Sequence, residues 1–358
     1  MAATDPLSDI FAGRDAPAAR GSWLERVPPA VWALILLLLI MPLLANNFWL
    51  FQIFGWTFIL GIIALSLMFL AGYGGMVSLA QMTIAGLAGY MVAILGSSGV
   101  SQISLGWPWW LYIPTAILIA ALFGTLVGAL AVRTEGIYTI MITLAIGAAF
   151  FYFTLQNHAI FNGHTGFGSI RPPDLFGVNW RRPVPFYYLT LGCAALCFAL
   201  VVYVSRSPFG LALQGVRDGP RRMAALGYDV TAHRIAAYAF ASVIAAVGGI
   251  LLVWQNGQIS PGTVGIAAVI DILVVAVIGG VRRPVGAFIG AFLYVLLRTF
   301  SPDILAGLGL SSERYKTIIG LGFLLVVYFS PDGLLGLWER WRERARKRRD
   351  PLTGKAQP

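Results

Sequence analysis

The chain has 358 residues, 58% of them hydrophobic and only 11% charged, with a net charge of +10 at pH 7. Soluble proteins are about a quarter charged and about half apolar, so this composition excludes a soluble globular fold. A helix needs about 20 apolar residues to cross a bilayer, and runs of this kind recur throughout the sequence. We therefore expect an all-α polytopic membrane protein.

The basic excess does not indicate a nucleic-acid partner, because lysine and arginine at the ends of spanning helices usually report membrane topology. The two cysteines, Cys193 and Cys197, lie four residues apart in one apolar run. We expect them to be small packing residues of a single helix. The three histidines lie far apart, so the sequence predicts neither a disulfide framework nor a metal site.

The chain divides into three parts by composition. Residues 1–26 are polar, carry both charges and lack the apolar core of a cleavable signal, which predicts a flexible cytoplasmic leader. A membrane domain over residues 27–331 follows, and then a basic cytoplasmic tail over residues 332–358 that we expect to lie against anionic lipid. The membrane domain contains ten apolar segments, with approximate bounds 28–45, 48–71, 76–95, 109–132, 137–157, 185–205, 235–256, 266–280, 285–301 and 313–330.

The third and eighth segments differ from the others. Both are rich in glycine, alanine and polar residues, and the eighth is short for a full crossing. We expect short or broken helices there, because irregular backbone survives at membrane depth only inside the protein or beside a wet cavity. Interrupted segments of this kind point to a transport pathway.

The placement of lysine and arginine predicts the orientation. An even number of spans puts both termini on one side, and if that side is the cytoplasm it holds 19 of the 25 basic residues, in agreement with the positive-inside rule. Residues 206–234 then form the large cytoplasmic loop and residues 158–184 the large periplasmic loop. The other six basic residues are Arg171, Arg181, Arg182, Arg298, Arg314 and Lys316.

The sequence lacks the common catalytic motifs. It contains no Gly-x-x-x-x-Gly-Lys-Ser/Thr loop, and none of its three lysines, Lys316, Lys347 and Lys355, follows such a glycine pattern. It also contains no His-Glu-x-x-His and no Gly-x-Ser-x-Gly motif. Because these motifs carry nucleotide and hydrolytic chemistry, we expect neither an enzyme nor ATP hydrolysis by this chain.

Asp271 is a carboxylate inside the eighth apolar segment. A charge at membrane depth is costly and by default indicates function, so Asp271 is a candidate for a translocation pathway. The alternative is a position near the outer interface at a helix start, where an acid suits the helix dipole. The sequence leaves both interpretations open.

Small residues mark two further segments. The stretch "AGYGGMVSLAQMTIAGLAGY" mixes glycine and alanine with polar side chains such as Ser78 and Gln81. Small residues allow helices to approach closely and polar ones hydrogen-bond between helices, so tight packing and a pathway lining are both compatible with this pattern. Gly286 and Gly290 have the Gly-x-x-x-Gly spacing of a close-packing helix face.

Two loops carry patterns that suit partners. The stretch "NGHTGFGSI" is rich in glycine and is either a flexible loop or a periplasmic gate and docking surface. The stretch "LQGVRDGPRRMAALGYDV" predicts a short helix that starts around Asp218 to Pro220 and ends at Gly227. Such an amphipathic helix lies either at the lipid headgroups or in a groove of a partner.

Five motifs, in order, resemble the LivM-type permease subunit of branched-chain amino acid ABC transporters, along nearly the full length after residue 45. They are "GYGGMVSLAQ", "RTEGIYTIMITLA", "VRDGPRRMAALGYDV", "DILVVAVIGGVRRPVGAFIGA" and "YFSPDGLLGL". The resemblance implies a type II ABC importer-like permease fold of about ten helices. It implies no cofactor in this chain, with ATP and Mg²⁺ bound by a partner ATPase. It also implies a bacterial inner-membrane location with both termini cytoplasmic.

The partners implied by the resemblance are a second, LivH-type permease, two ATP-binding subunits and a periplasmic substrate-binding protein. The implied cargo is branched-chain or related amino acids. The cytoplasmic loop would then carry the coupling helix that docks on the ATPase, formed by Arg217, Asp218, Arg221, Arg222, Met223, Ala224, Ala225 and Gly227. The candidate pathway residues are Ser78, Gln81, Thr143 and Asp271, and the candidate gate residues are Thr165 and Gly166.

The sequence departs from the family pattern at two places. Family members often have Thr-Gly-Gly where this chain has Thr165, Gly166 and Phe167, which weakens a substrate assignment, and often have glutamate in place of Asp271. Urea, short amides and other amino acids therefore stay alternative substrates. Two other classes also stay open: a stand-alone ion-coupled transporter, for which the intramembrane charges are few, and a membrane scaffold that recruits a cytosolic partner.

Overall fold

The structure, a computed structural model, describes residues 29–100, 102–134, 136–173, 179–281 and 283–307, and beyond these the positions 317, 320, 321, 324, 328 and 333. The helices are, in chain order, α1 (Pro29–Leu44), α2 (Trp49–Tyr73), α3 (Gln81–Leu95), α4 (Trp109–Ala131), α5 (Ile137–Gln156), α6 (His158–Phe161), α7 (Pro183–Arg206), α8 (Pro208–Asp218), α9 (Pro220–Ala225), α10 (Val230–Asn256), α11 (Ile266–Gly279) and α12 (Pro284–Gly307).

Helix α1 belongs to a first compact unit that ends at Ala45, and the rest of the chain forms a second unit. The 16 residues of α1 are apolar throughout. They match the first predicted segment in position.

Six helices of the second unit, α2, α4, α5, α7, α10 and α12, are long and apolar enough to cross a membrane. Their positions agree with the predicted segments, which confirms the all-α, multi-pass membrane fold. Helices α3 and α11 are shorter, with 15 and 14 residues. Irregular backbone over residues 75–80 precedes α3, and a 3₁₀ turn precedes α11. The prediction of short or broken helices at the third and eighth segments is therefore confirmed. The tenth predicted segment lies almost entirely outside the described residues.

Helices α2 and α10 form the centre of the second unit. In the most apolar stretch of each helix, 89% of α2 and 67% of α10 is buried, against 28% for α4, α5 and α7. Helix α10 packs on α2, α3 and α4, and α2 also packs on α12. The partly exposed apolar helices therefore form the surface that suits contact with lipid.

Helix α4 shows how the sequence sorts its two faces. Leucines recur every fourth residue from 118 to 130, and each is more than half exposed, as expected for a face against lipid tails. On the other face, a Cβ atom on Gly124 would meet Ser242, and one on Gly128 would meet Tyr238. Small residues therefore let α4 approach α10 closely.

The turn between α11 and α12 is also closely packed. A Cβ atom on Gly290 would meet the carbonyl oxygen of Val275, and one on Gly286 would meet that of Gly280. Backbone lies against backbone at these positions, so no larger residue fits without a shift. The predicted close-packing face of Gly286 and Gly290 is confirmed.

Candidate functional site

A cavity of about 550 Å³ lies among α2, α10, α11 and α12. Two charged side chains line it, Asp271 from α11 and Arg298 from α12, together with the phenol of Tyr294 from α12. Polar groups of Asn256, Ser260 and Thr263 lie at the end where α10 leads into α11. The large aliphatic residues of its wall are Leu60, Met82, Leu252, Ile270, Ile272 and Val274.

A second cavity of about 430 Å³ adjoins the first. Trp56, Asn256 and Arg298 line both cavities. The guanidinium carbon of Arg298 lies 5.3 Å from the centroid of the Trp56 ring, close enough for a cation–π interaction. Arg298 therefore lies where the two cavities meet, held against an aromatic face.

Asp271 and Arg298 do not form an ion pair with each other. Within the described part of the chain, the only ion pair joins Arg217 to Asp218. Asp271 lies in the second turn of α11, and no acid occupies the first turn. Because the helix-dipole effect fades beyond the first turn, the helix-start interpretation of Asp271 is not supported. The cavity instead presents one anion and one cation that are separate from each other.

The other three candidate pathway residues, Ser78, Gln81 and Thr143, are buried and lie outside both cavities. The hydroxyl of Thr143 accepts a 3.1 Å hydrogen bond from the main-chain N–H of Leu79. The amide oxygen of Gln81 accepts one of 3.0 Å from the hydroxyl of Ser66. These bonds hold the irregular backbone before α3 between α2 and α5. The arrangement favours tight packing in this conformation, and a role for these residues in a pathway stays a prediction.

The two candidate gate residues lie in the loop between α6 and α7. Phe167 and Ile259 exchange two main-chain hydrogen bonds of 2.8 Å, which pairs this loop with the segment after α10. Gly166 has φ +67°, and a Cβ atom there would meet the carbonyl oxygen of Ile259. Thr165 is exposed. The pairing holds the loop beside Ser260, which lines the first cavity.

The first and last turns of α2 are π-helical. Such turns shift the backbone hydrogen-bond register and occur frequently at functional sites. At the first turn, the carbonyl oxygen of Phe51 accepts a 2.7 Å hydrogen bond from Nε2 of Gln255. At the last turn, the carbonyl oxygen of Gly72 accepts a hydrogen bond from Nη1 of Arg217. Helix α2 is thereby tied to α10 at one end and to α8 at the other.

Arg217 and Asp218 are the last two residues of α8. Their side chains form a 2.8 Å ion pair, and this hydrogen bond holds the pKa of the Asp218 carboxyl below its usual value. The predicted start of the docking helix around Asp218 to Pro220 agrees with α9, which begins at Pro220, but Arg217 and Asp218, which were expected in that helix, belong to α8. Gly219 caps the end of α8 by donating its N–H to the carbonyl oxygen of Gly215. Its extended backbone separates the two helices, so that Pro220 is the first residue of α9.

Helix α9 is short, and none of its residues is buried. Its end agrees with the prediction: Gly227 has φ +88° and donates its N–H to the carbonyl of Ala224 over 3.0 Å. Met223 points back to α8, because its sulfur would meet a Cβ atom on Gly215. Arg221 and Arg222 are exposed. The following exposed residues, which we call the α9 surface, are Ala224, Ala225, Leu226, Gly227 and Tyr228.

Helix α10 separates the α9 surface from the cavities. The α9 surface precedes its first residue, and its last residue, Asn256, lines both cavities. The helix has 27 residues, which corresponds to about 40 Å at the usual rise per residue. The exposed short helix and the charged cavity therefore lie at opposite ends of the central helix.

Sequence reasoning missed Arg298 and Trp56 as site residues. It placed Arg298 among the external basic residues, although Arg298 is the one charged residue between positions 284 and 301. That isolation was the available signal, since a lone charge in an apolar helix is a candidate for function. Among the described residues, no group of three His, Cys, Asp or Glu side chains could hold a metal ion.

The chain is similar to permease proteins named for branched-chain amino acid transport. It is 25% identical over 297 residues to the high-affinity branched-chain amino acid transport system permease protein LivM of Salmonella typhimurium, a match that covers 76% of this chain and 65% of that protein. It is 26% identical over 264 residues to the corresponding protein BraD of Pseudomonas aeruginosa, covering 71% of this chain and 81% of BraD.

A third similar protein is the probable branched-chain amino acid transport permease protein LivH of Methanocaldococcus jannaschii, 26% identical over 148 residues, covering 40% of this chain and 46% of LivH. No solved structure matches the chain. A sequence model of the family described as branched-chain amino acid transport system / permease component matches residues 49–328. The match covers most of the chain, and the chain belongs to this family of membrane permease components, which are not enzymes.

Proposed function

We propose that the chain is the membrane-spanning permease subunit of an ATP-driven ABC importer that moves branched-chain amino acids into the cytoplasm. The names of the similar proteins LivM and BraD support this cargo. The family membership supports the role of a permease component. The chain contributes the membrane passage, and a partner ATPase binds ATP and Mg²⁺.

The observation that carries the proposal is the exposed helix α9. Leu226 is 72% exposed, and no residue of α9 is buried. Exposed apolar residues beside Arg221 and Arg222 suit a groove on a protein partner, because an amphipathic helix buries its apolar face there. We infer that the α9 surface docks on the ATPase subunit.

The contacts of α8 supply a mechanical route from that surface into the membrane. Met223 of α9 packs on Gly215 of α8, and Arg217 of α8 bonds to Gly72 at the end of α2. A Cβ atom on Gly72 would meet the carbonyl of Val281, so the same turn contacts the α11–α12 connection. Closure of an ATPase pair would displace α9 and α8, and through them the helices that line the cavities.

The remaining partners and the orientation complete the proposal. A second permease similar to this one and two ATPase subunits form the transporter, and a periplasmic binding protein delivers the substrate. Both termini and the α9 surface face the cytoplasm, as the distribution of basic residues favours. The loop paired at Phe167 and Ile259 then faces the periplasm, beside the cavities.

The test purifies the full chain from its native membrane with its natural partners. We expect a protein with a Walker-type ATP-binding motif to co-purify, and the complex in proteoliposomes to import L-leucine only with ATP and the binding protein. Substituting the Walker lysine of that ATPase should abolish uptake. Leucine uptake by the chain alone, driven by an ion gradient, would overturn the proposal in favour of a secondary transporter.

A further inference from the structure

We propose that the cavity shared by Asp271 and Arg298 binds the zwitterionic backbone of an aliphatic α-amino acid. The ligand carboxylate pairs with the Arg298 guanidinium, and the ligand ammonium pairs with the Asp271 carboxylate. This inference rests on the proposed function and places the substrate within the chain.

The two charged side chains of the cavity indicate the charged groups of the ligand. Among the described residues, Asp271 has no hydrogen-bond or ion-pair partner, and the one electrostatic contact of Arg298 is with the Trp56 ring. An uncompensated charge inside a membrane protein is costly. A zwitterion supplies a counter-charge to each of the two side chains at once, whereas a neutral amide or urea supplies none.

The aliphatic wall of the cavity indicates the side chain of the ligand. Its aliphatic side chains include Leu60 from α2, Leu252 from α10 and Ile272 from α11. A branched aliphatic side chain gains free energy by leaving water for such a surface. Its volume of about 550 Å³ lies within the range of small-ligand sites, about 300–1,000 Å³. Charge and shape therefore select the same class of ligand.

Trp56 contributes to the position of the guanidinium. Its ring lies 5.3 Å from the guanidinium carbon of Arg298, and arginine often stacks on aromatic faces in this way. The contact limits the directions in which the guanidinium fork can point. Trp56 is thus a positioning residue for Arg298, and its ring belongs to the same cavity wall.

The test measures how a ligand protects a cysteine placed in the cavity. Cys193 and Cys197 are replaced by alanine. Ala267→Cys then places a thiol on the cavity wall, and Ser97→Cys places one at an exposed position as the control. The purified full chain is labelled with N-ethylmaleimide at increasing L-leucine concentration. We expect L-leucine to slow labelling at position 267 and to leave position 97 unchanged.

Two leucine analogues test the contributions of the ligand ammonium and the ligand carboxylate separately. 4-Methylpentanoate lacks the ammonium group, and 3-methylbutylamine lacks the carboxylate. Each should need about a tenfold or higher concentration than L-leucine for half-maximal protection, because one charged hydrogen bond is lost. Protection by urea or acetamide that equals protection by L-leucine would contradict a zwitterion site.

Substitutions then assign each charge to its residue. Asp271→Asn and Arg298→Gln remove a charge with little change in size, and Arg171→Gln removes a charge outside both cavities as the control. In Asp271→Asn, L-leucine should lose its advantage over 4-methylpentanoate. In Arg298→Gln, it should lose its advantage over 3-methylbutylamine. A merely structural role would weaken all three ligands equally and would overturn the assignment.

Uptake by the complete transporter distinguishes the two proposals. If ATP-dependent leucine import occurs and both Asp271→Asn and Arg298→Gln keep the wild-type KM, the zwitterion site is wrong while the proposed function stands. If the complete transporter imports no branched-chain amino acid, the proposed function fails. An at least tenfold rise of KM in both variants, with Arg171→Gln unchanged, supports both proposals.

Discussion

The guanidinium of Arg217 donates a hydrogen bond to the main-chain carbonyl of Gly72, 145 residues away in the sequence. The contact joins the last turn of the amphipathic helix α8 to the π-helical last turn of α2. Gly75, just beyond that turn, lies so close to Arg217 that a Cβ atom there would meet its side chain. Gly75 therefore makes room for the arginine, and a movement of α8 reaches α2 through one side chain.

Removing that side chain should uncouple the transporter. Arg217→Gln deletes the charge-assisted hydrogen bond to Gly72 and the ion pair with Asp218. Because the Arg217 side chain is exposed, it adds little to the stability of the folded protein. We expect leucine uptake to fall by about tenfold and ATP hydrolysis to continue. Arg206→Gln, an exposed arginine at the end of α7, serves as the control. Equal uptake in both variants would argue against this route.

A charge on the α9 surface should block docking. Ala224→Glu places a carboxylate at a position that is exposed in the described part of the chain. We expect loss of co-purifying ATPase with an unchanged melting temperature of the isolated permease. Gly227 is a poorer target, because its φ of +88° makes any side chain strain the backbone.

The control for this substitution is Thr231→Glu, an exposed position in the first turn of α10, where an acid suits the helix dipole. It adds the same charge a short distance away. If both glutamate variants retain the ATPase, the α9 surface is not the docking site.

The close approach of α4 and α10 predicts a stability effect. In Gly128→Ala, the new methyl group would lie 2.5 Å from the Cβ of Tyr238, and overpacking of this kind costs about 1–3 kcal/mol. Gly192→Ala in α7 is the matched control, since a Cβ atom there meets nothing within 4 Å. Melting temperatures of the purified proteins should fall for the first variant only; equal values would show that the helices separate without cost.

The paired loop beside the cavities gives a fourth prediction. Gly166→Ala puts a methyl group against the carbonyl of Ile259 and holds alanine at φ +67°, a conformation that costs a residue with a Cβ about 1–2 kcal/mol. We expect amide hydrogen exchange at Phe167 and Ile259 to speed up by about tenfold or more. Gly168→Ala, where a Cβ atom meets nothing within 4 Å, should exchange like the wild type.

Much of the docking region could be predicted locally, because helix ends obey short-range rules. Pro220 at the first position of α9 and Gly227 after its end follow from residue conformational preferences alone. The fate of Asp218 did not follow from those rules. An aspartate before Gly-Pro also suits a helix start, and only the continuation of α8 to Asp218, with Gly219 as its C-cap, assigns it to the preceding helix.

The sequence by itself determined that this is a multi-pass helical membrane protein, which segments are short, and where the exposed helix lies, because hydrophobicity and capping are properties of neighbouring residues. The tertiary structure decided which polar residues meet. Asp271 and Arg298 are 27 positions apart on different helices, and Trp56 lies on a third. Their common cavity depends on how α2, α11 and α12 pack, and glycine contacts such as Gly290 on Val275 set that packing through space and not along the chain.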